Sequence, residues 1–132
     1  MPPASVLIAT APDARQRLAR ILDGWDVSLA SSCEEVVKQL ATREFELVIL
    51  GTHFAESSVF TVLEGLPRER RRRVVCVQAL PFSHGLGKST FAAFRSACLA
   101  LGARVVLNLT EFPDNAAGDA RVRERLQLEA AT

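Results

Sequence analysis

Residues 45–54 read FELVILGTHF, and residues 46–50 within this stretch form a nearly all-aliphatic run that leads into a loop. The run leaves no polar face along its length, and this is typical of a strand that helices cover on both sides. We therefore expect a central strand of a parallel sheet over residues 46–50. Gly51 follows directly, at the strand end where open α/β sheets place their ligands and reactive groups. It has no side chain with which to bind or react.

The rest of the chain alternates between apolar runs of strand length and segments of helical period, and five such units fit. This alternation predicts a parallel sheet with helices on both faces. Strands are expected over residues 6–9, 25–30, 46–50, 74–80 and 104–109. Helices are expected over residues 13–22, from residue 32 onwards, over about 58–66 and 89–101, and from a cap at Asp114 or Asn115 to about Glu129.

Each of the first four predicted helices carries apolar residues at the spacing of one buried stripe. Ser32 and Glu35 have the spacing of a capping box, Gly24 and Gly102 are expected to end helices, and Gly118 is expected to weaken the last helix. The stripes are Ala14, Leu18, Ile21 and Leu22; then Cys33, Val36, Val37, Leu40 and Ala41; then Val59, Val62, Leu63 and Leu66; then Phe91, Phe94, Cys98 and Leu101.

Composition favours one soluble domain over residues 1–132, with its core at about residues 5–129. The 132 residues are 48% hydrophobic and carry a net charge of +1, which excludes a disordered chain and makes no strong statement about partners. Three widely spaced cysteines have neither a disulfide nor a metal-ligand pattern, so buried thiols in a reducing compartment are expected. No apolar segment is long enough to span a membrane, and we expect a cytoplasmic protein.

The local sequence adds a family resemblance across nearly the whole chain. Residues 6–15, VLIATAPDAR, combine an aliphatic strand with a loop that contains proline and arginine, and Gly102-Ala103 precedes the fifth predicted strand. Together with residues 46–51 and 74–79, these segments resemble the CheY-like receiver domain of two-component response regulators. The resemblance implies a flavodoxin-like, doubly wound α/β fold whose five-stranded parallel sheet has the order 2-1-3-4-5.

The resemblance also shows which chemical positions have changed. Receiver domains carry an acidic pair, a phosphoacceptor aspartate, a small hydroxyl residue and a lysine at their strand ends. Aspartyl phosphorylation needs a carboxylate nucleophile and a divalent cation held by oxygen ligands. We therefore expect a degenerate pseudo-receiver that is not an enzyme and has no metal or other cofactor. Ala9 and Thr10 stand at the acidic pair, Gly51 at the aspartate, Gln78 at the hydroxyl residue, and Leu109 or Asn108 at the lysine.

Such a domain is expected to signal through protein contacts, with a signalling protein or with a second copy of the chain. By analogy with receiver domains, the expected interface is the face made by the fourth helix, fifth strand and fifth helix. Helical geometry places Ala92, Arg95 and Leu99 opposite the apolar stripe of the fourth helix, so Leu99 is expected to be an exposed apolar contact. Arg104 and Arg121 are expected to flank it.

An alternative hypothesis comes from residues 85–90, GLGKST, which make this region longer than in most receiver domains. Gly-Lys-Ser between a strand and a helix can cradle phosphate. A complete phosphate loop has another glycine five residues before Gly87, where Phe82 stands. Two interpretations stay open: a nucleotide- or phosphate-binding regulatory domain that uses Gly85–Ser89, or a glycine turn before a helix.

Two further features have simpler interpretations. The basic run at residues 68–73, RERRRR, could contact phosphates, but it lacks interleaved aromatic residues and the chain is close to neutral. A solvated loop is therefore favoured over a nucleic-acid site. His53 and His84 have no second ligand at metal spacing and are interpreted as ordinary loop histidines.

Overall fold

Five parallel strands form one sheet in the computed structural model, which describes residues 4–10, 12–51, 59–78 and 87–130. The side chains of residues 12, 13 and 87–90 are outside this description. The strands pair in the order β2-β1-β3-β4-β5, which confirms the predicted topology. They are β1 (Ser5–Ala9), β2 (Asp26–Leu29), β3 (Leu47–Gly51), β4 (Val74–Gln78) and β5 (Val105–Asn108).

Helices cover both faces of this sheet, as predicted. One face packs against α1 (Pro12–Ile21) and α6 (Ala116–Ala130), and the other against α2 (Cys33–Thr42), α3 (Val59–Gly65) and α5 (Gly87–Ala100). The chain also forms a short helix α4 (Arg68–Arg71) and a 3-10 turn η1 (Leu109–Glu111), neither of which the sequence pattern predicted.

The central strand β3 explains why two helical layers are needed. It lies between β1 and β4, with Leu47 paired to Val6 and Gly51 paired to Val77, and all five of its residues are buried. Val48 and Leu50 enter the core under α2, α3 and α5, while Leu47 and Ile49 enter the core under α1 and α6. Alternation along a strand sends successive side chains to opposite faces, so β3 contributes to both cores.

The predicted helix boundaries have the expected local chemistry. Gly24 and Gly102 have φ of +89° and +103°, in the region that glycine enters without steric cost. The Ser32 hydroxyl accepts from the Glu35 amide at 3.1 Å, while the Glu35 carboxylate accepts from the Ser31 amide at 2.8 Å, one residue before the usual capping-box partner. Of the two caps considered for α6, Asn115 is the one observed, since its Oδ1 accepts from the amide of residue 118 at 3.0 Å.

Two apolar positions of α2 were assigned wrongly. Val36 and Leu40 are buried as predicted, but Val37 is 46% exposed and Ala41 is exposed as well. The reason is geometric, because residues 37 and 41 lie about 100° further round the helix than residues 36 and 40. α2 therefore buries a narrow stripe rather than a broad face.

The prediction of buried thiols is confirmed for two of the three cysteines. Cys76 on β4 and Cys98 on α5 are fully buried in the same core, while Cys33 is half-buried. A hydrogen bond with the Cys98 thiol, and then burial, raise the pKa of Cys76 well above its ordinary value. A thiol held in its protonated form is a poor nucleophile, so Cys76 belongs to the core packing.

Gly118 in the first turn of α6 has a packing role that its helix propensity does not suggest. A Cβ atom built on it would lie 1.8 Å from the Pro113 carbonyl oxygen, a backbone atom that cannot move aside cheaply. The glycine therefore lets the loop after η1 approach the helix. This corrects the interpretation of Gly118 as only a weak helix residue.

We expect Gly118→Ala to lower the free energy of unfolding by about 1–3 kcal/mol, as overpacking usually does. Gly65→Ala is the matched control, because a Cβ at Gly65 meets nothing within 4 Å. The control should be neutral or stabilising by about 0.5 kcal/mol. Urea unfolding of both variants measures the difference, and equal effects would contradict this account of Gly118.

Candidate functional site at the carboxyl ends of the strands

The residues predicted for the degenerate site lie along one edge of the sheet. Ala9, Gly51 and Gln78 are the last residues of β1, β3 and β4, and Thr10 follows β1 directly. Ala9 and Gly51 are buried, and Thr10 and Gln78 are only 4% and 2% exposed. Alanine, glycine, threonine and glutamine provide no carboxylate and no cation at these positions.

The side chain of Thr10 occupies the space into which a residue at position 51 would extend. A Cβ built on Gly51 would lie 2.7 Å from Thr10 Cγ2 and 2.8 Å from Thr10 Cβ. Real Cβ atoms essentially never approach other atoms this closely, so an aspartate at position 51 requires Thr10 to move. Position 51 therefore has no carboxylate, and Thr10 fills the space into which one would extend.

The end of β5 likewise presents no cation. Leu109, the expected counterpart of the lysine, is fully buried in the core under α1 and α6. The neighbouring Asn108 uses its Oδ1 to accept from the Thr110 amide at 3.0 Å, and this caps η1. Leu109 therefore acts in packing, and Asn108 acts in shaping the turn.

The loop after β5 is held by an arginine from α1. The Arg17 guanidinium donates to the carbonyl oxygens of Leu109, Phe112 and Pro113 at 3.0, 2.9 and 3.1 Å. A planar guanidinium offers several donors in a fixed arrangement, which suits a cluster of backbone carbonyls. The loop after β5 is thus tied to α1.

One turn further along α1, Arg20 extends this link toward α6. It hydrogen-bonds to Asp114, and its Nε donates to Asp119 at 2.6 Å. The hydrogen bond from Arg20 lowers the pKa of Asp114 below its ordinary value. These ion pairs lie at the surface, so they orient the loop more than they stabilise the fold.

Within the described residues, no group of three or more histidine, cysteine or acidic side chains could hold a metal ion. His53 and His84 lie outside the described residues, and their interpretation stays a prediction. The phosphate-loop hypothesis also stays open: α5 begins at Gly87, but Gly85 and Leu86 lie outside the described residues, as do the side chains of Lys88 and Ser89.

Only some of the residues predicted for the interface are exposed on the surface of α5 and α6. Ala92 and Arg95 are exposed on α5, and Arg121 is exposed on α6, with its guanidinium 5.4 Å from the centre of the Phe112 ring. The expected exposure of Leu99 was wrong, since its side chain is half-buried and packs against the core. Its neighbour Cys98 is fully buried. The face that α5 turns toward the core is therefore broad and includes part of the Leu99 side chain. Arg104 lies at the opposite edge of the sheet and binds Glu129.

The basic run at residues 68–73 is mostly structural. Arg71 donates to the carbonyl oxygens of Leu66, Leu101 and Glu64 at 2.8, 2.9 and 3.2 Å, which ties together the carboxyl-terminal ends of α3 and α5. Arg70 and Arg73 donate to one carbonyl each, those of Leu40 at 2.7 Å and Phe45 at 3.0 Å. The interpretation as a solvated loop was therefore wrong for Arg70 and Arg71, which are half-buried, while Arg73 is exposed. The sequence carried no signal for these carbonyl partners.

No helix in the described part of the chain is long and apolar enough to cross a membrane.

We expect Gly51→Ala to lower the free energy of unfolding by about 1–3 kcal/mol, because the new Cβ collides with Thr10. In a Thr10→Gly background, Gly51→Ala should lower the free energy of unfolding by at least about 1 kcal/mol less. The Thr10 side-chain atoms are then gone, and the nearest atom still present, the Cα of residue 10, is 3.2 Å away. Urea unfolding of the four proteins completes this double-mutant cycle. If the stability losses of the two single variants add up to that of the double variant, the proposed contact between positions 10 and 51 is contradicted.

We expect Arg71→Gln to lower the free energy of unfolding by about 2 kcal/mol or more, because two partly buried carbonyls and one exposed carbonyl lose a charged donor. Arg68→Gln is the control within the same short helix, since Arg68 is exposed and an exposed substitution usually changes stability by less than about 0.5 kcal/mol. Thermal and urea unfolding measure both. A loss of equal size in the two variants would refute the structural role of Arg71.

A search of protein-family models and a search of curated proteins found no match to this chain. Solved structures do resemble it. The receiver domain of a Francisella response regulator superposes with a TM-score of 0.70 at 14% identity, over 97% of each chain. A CheY-like receiver domain protein from Methanospirillum hungatei gives 0.67 at 16% identity, over 98% of this chain and 94% of the other.

A third similar structure is a response regulator of Thermotoga maritima in complex with Mg²⁺-BeF. It superposes with a TM-score of 0.64 at 15% identity, over 96% of this chain and 98% of the other. These likenesses extend over nearly the whole length of each partner. At such low identity they bear on the fold alone, and they agree with the strand order and the two helical layers. The chain therefore has the flavodoxin-like, CheY-like fold of response-regulator receiver domains.

Proposed function

We propose that this protein is a pseudo-receiver: a signalling domain that is not phosphorylated and acts through protein contacts. The observation that carries the proposal is the close packing of Thr10 on Gly51 at the end of β3. In the receiver fold this is the place of the phosphoacceptor, and here the place is both uncharged and filled.

The chemistry of phosphoryl transfer supports the same proposal. An aspartyl phosphate forms when a carboxylate attacks a phosphoryl group whose charge a metal ion and cationic side chains neutralise. Ala9, Thr10, Gly51 and Gln78 provide none of these groups, and Leu109 is buried in the core. A scaffold that keeps its fold without this chemistry is suited to holding a partner in place, and we assign it no catalytic activity.

The surface proposed for the partner is the exposed side of α5 and α6. Ala92 and Arg95 on α5 and Arg121 on α6 are exposed, so a protein can reach them. Leu99 is left out because it packs against the core, and Arg104 because it binds Glu129 at the other edge. The proposed partner is a signalling protein or a second copy of the chain, and the two arginines favour a partner with acidic residues.

We expect the purified protein to incorporate no phosphate from acetyl phosphate in the presence of Mg²⁺, because no carboxylate is placed to accept it. Intact-mass spectrometry should show an unchanged mass, while a phosphorylatable receiver domain treated in parallel gains one phosphoryl group. An acid-labile phosphoryl adduct at close to one per chain would contradict the proposal.

We expect Arg95→Glu combined with Arg121→Glu to abolish most partner capture from extracts of the native cell, because reversed charges repel an acidic partner. Arg68→Glu is the control, as it reverses the charge of one exposed arginine on α4, away from this surface. Quantitative mass spectrometry of captured proteins, with light scattering for self-association, measures the effect. Equal losses in both variants would rule out this surface.

A further inference from the structure

A cavity of about 430 Å³ opens at the amino ends of the central strands, on the edge opposite the candidate site. Glu46 and Arg73 directly precede β3 and β4, and Arg104 directly precedes β5. Glu69 and Arg72 contribute from α4 and its end, and Glu129 contributes from the last turn of α6. The volume lies in the range of small-ligand pockets, which is roughly 300–1,000 Å³.

Some charged groups of this cavity have hydrogen-bond or ion-pair partners within the described residues, and others do not. The second group is called the uncommitted set. Arg104 binds the Glu129 carboxylate, which Arg125 also approaches at 3.3 Å, so that pair is satisfied. Arg73 uses one nitrogen to donate to the Phe45 carbonyl at 3.0 Å and keeps its other nitrogens for another acceptor.

The uncommitted set contains both signs of charge. Across the described residues, the side chains of Glu46, Glu69 and Arg72 take part in no hydrogen bond or ion pair. Together with Arg73, they present two guanidinium groups and two carboxylates to the same space. A ligand of a single sign would be attracted by one pair and repelled by the other.

We propose that this cavity binds a small zwitterion of amino-acid to dipeptide size. Its carboxylate pairs with Arg72 and Arg73, since guanidinium groups bind carboxylates through two parallel hydrogen bonds. Its ammonium group pairs with Glu46 and Glu69. The site does not depend on the proposed signalling function, because it uses none of the residues at the carboxyl edge or on the α5 and α6 surface.

Three linear probes of matched length test the charge requirement: 6-aminohexanoate, hexanedioate and 1,6-diaminohexane. They are titrated into the ¹⁵N-labelled full chain at low ionic strength, where exposed charges are least screened. We expect 6-aminohexanoate to bind saturably in the millimolar range and about fivefold more tightly than either single-sign probe. The amides of Leu47, Glu69, Arg72 and Arg104 should shift, while those of Thr10 and Gly51 should stay in place.

Neutral variants test the assigned residues. Arg72→Gln and Glu69→Gln should each weaken 6-aminohexanoate binding about threefold or more, and Arg68→Gln, an exposed neighbour that does not line the cavity, should leave it unchanged. All three residues are exposed, so the variants should fold. The proposal is overturned if the zwitterion does not bind at millimolar concentration, if a single-sign probe binds as tightly, or if all three variants bind alike.

Discussion

The burial of β3 on both faces is the constraint around which the molecule is arranged. Its aliphatic side chains alternate between two cores, so a helical layer is needed on each side of the sheet. The strand keeps this burial to its last residue, where Gly51 lies inside the protein against Thr10. The same packing that builds the centre of the fold therefore fills the space beside Gly51 at the end of this strand.

Arginine side chains that hydrogen-bond to backbone carbonyls hold the loops and helix ends around this sheet. Arg17 holds the loop after β5, Arg71 holds the ends of α3 and α5, and Arg123 donates to the carbonyls of Ile21 and Asp23 at the end of α1. The last carbonyls of a helix have no partner within it, so Arg71 and Arg123 satisfy groups that would otherwise need water. Much of the positive charge in this nearly neutral chain thus serves the fold.

The strand order was implied by the family resemblance. The helix ends at Gly24 and Gly102 and the position of Gly51 could be predicted from the residues themselves, because each depends on local pattern or on a single backbone requirement. The exposure of Val37 and the partial burial of Leu99 could not, since the rotation of a helix depends on everything packed against it. The close approach of Pro113 to Gly118 depends on loop geometry. The charged cavity collects residues from four separate stretches of the chain, which no spacing rule connects.

The central claim is that the carboxyl edge is closed to phosphoryl and metal ligands. The most direct measurement is an amide NMR titration of the ¹⁵N-labelled protein with Mg²⁺ and beryllofluoride, which together mimic a bound phosphoryl group. The account predicts that the amides of Thr10, Gly51 and Gln78 do not shift at concentrations that saturate an active receiver domain. Saturable shifts at these three residues would contradict it.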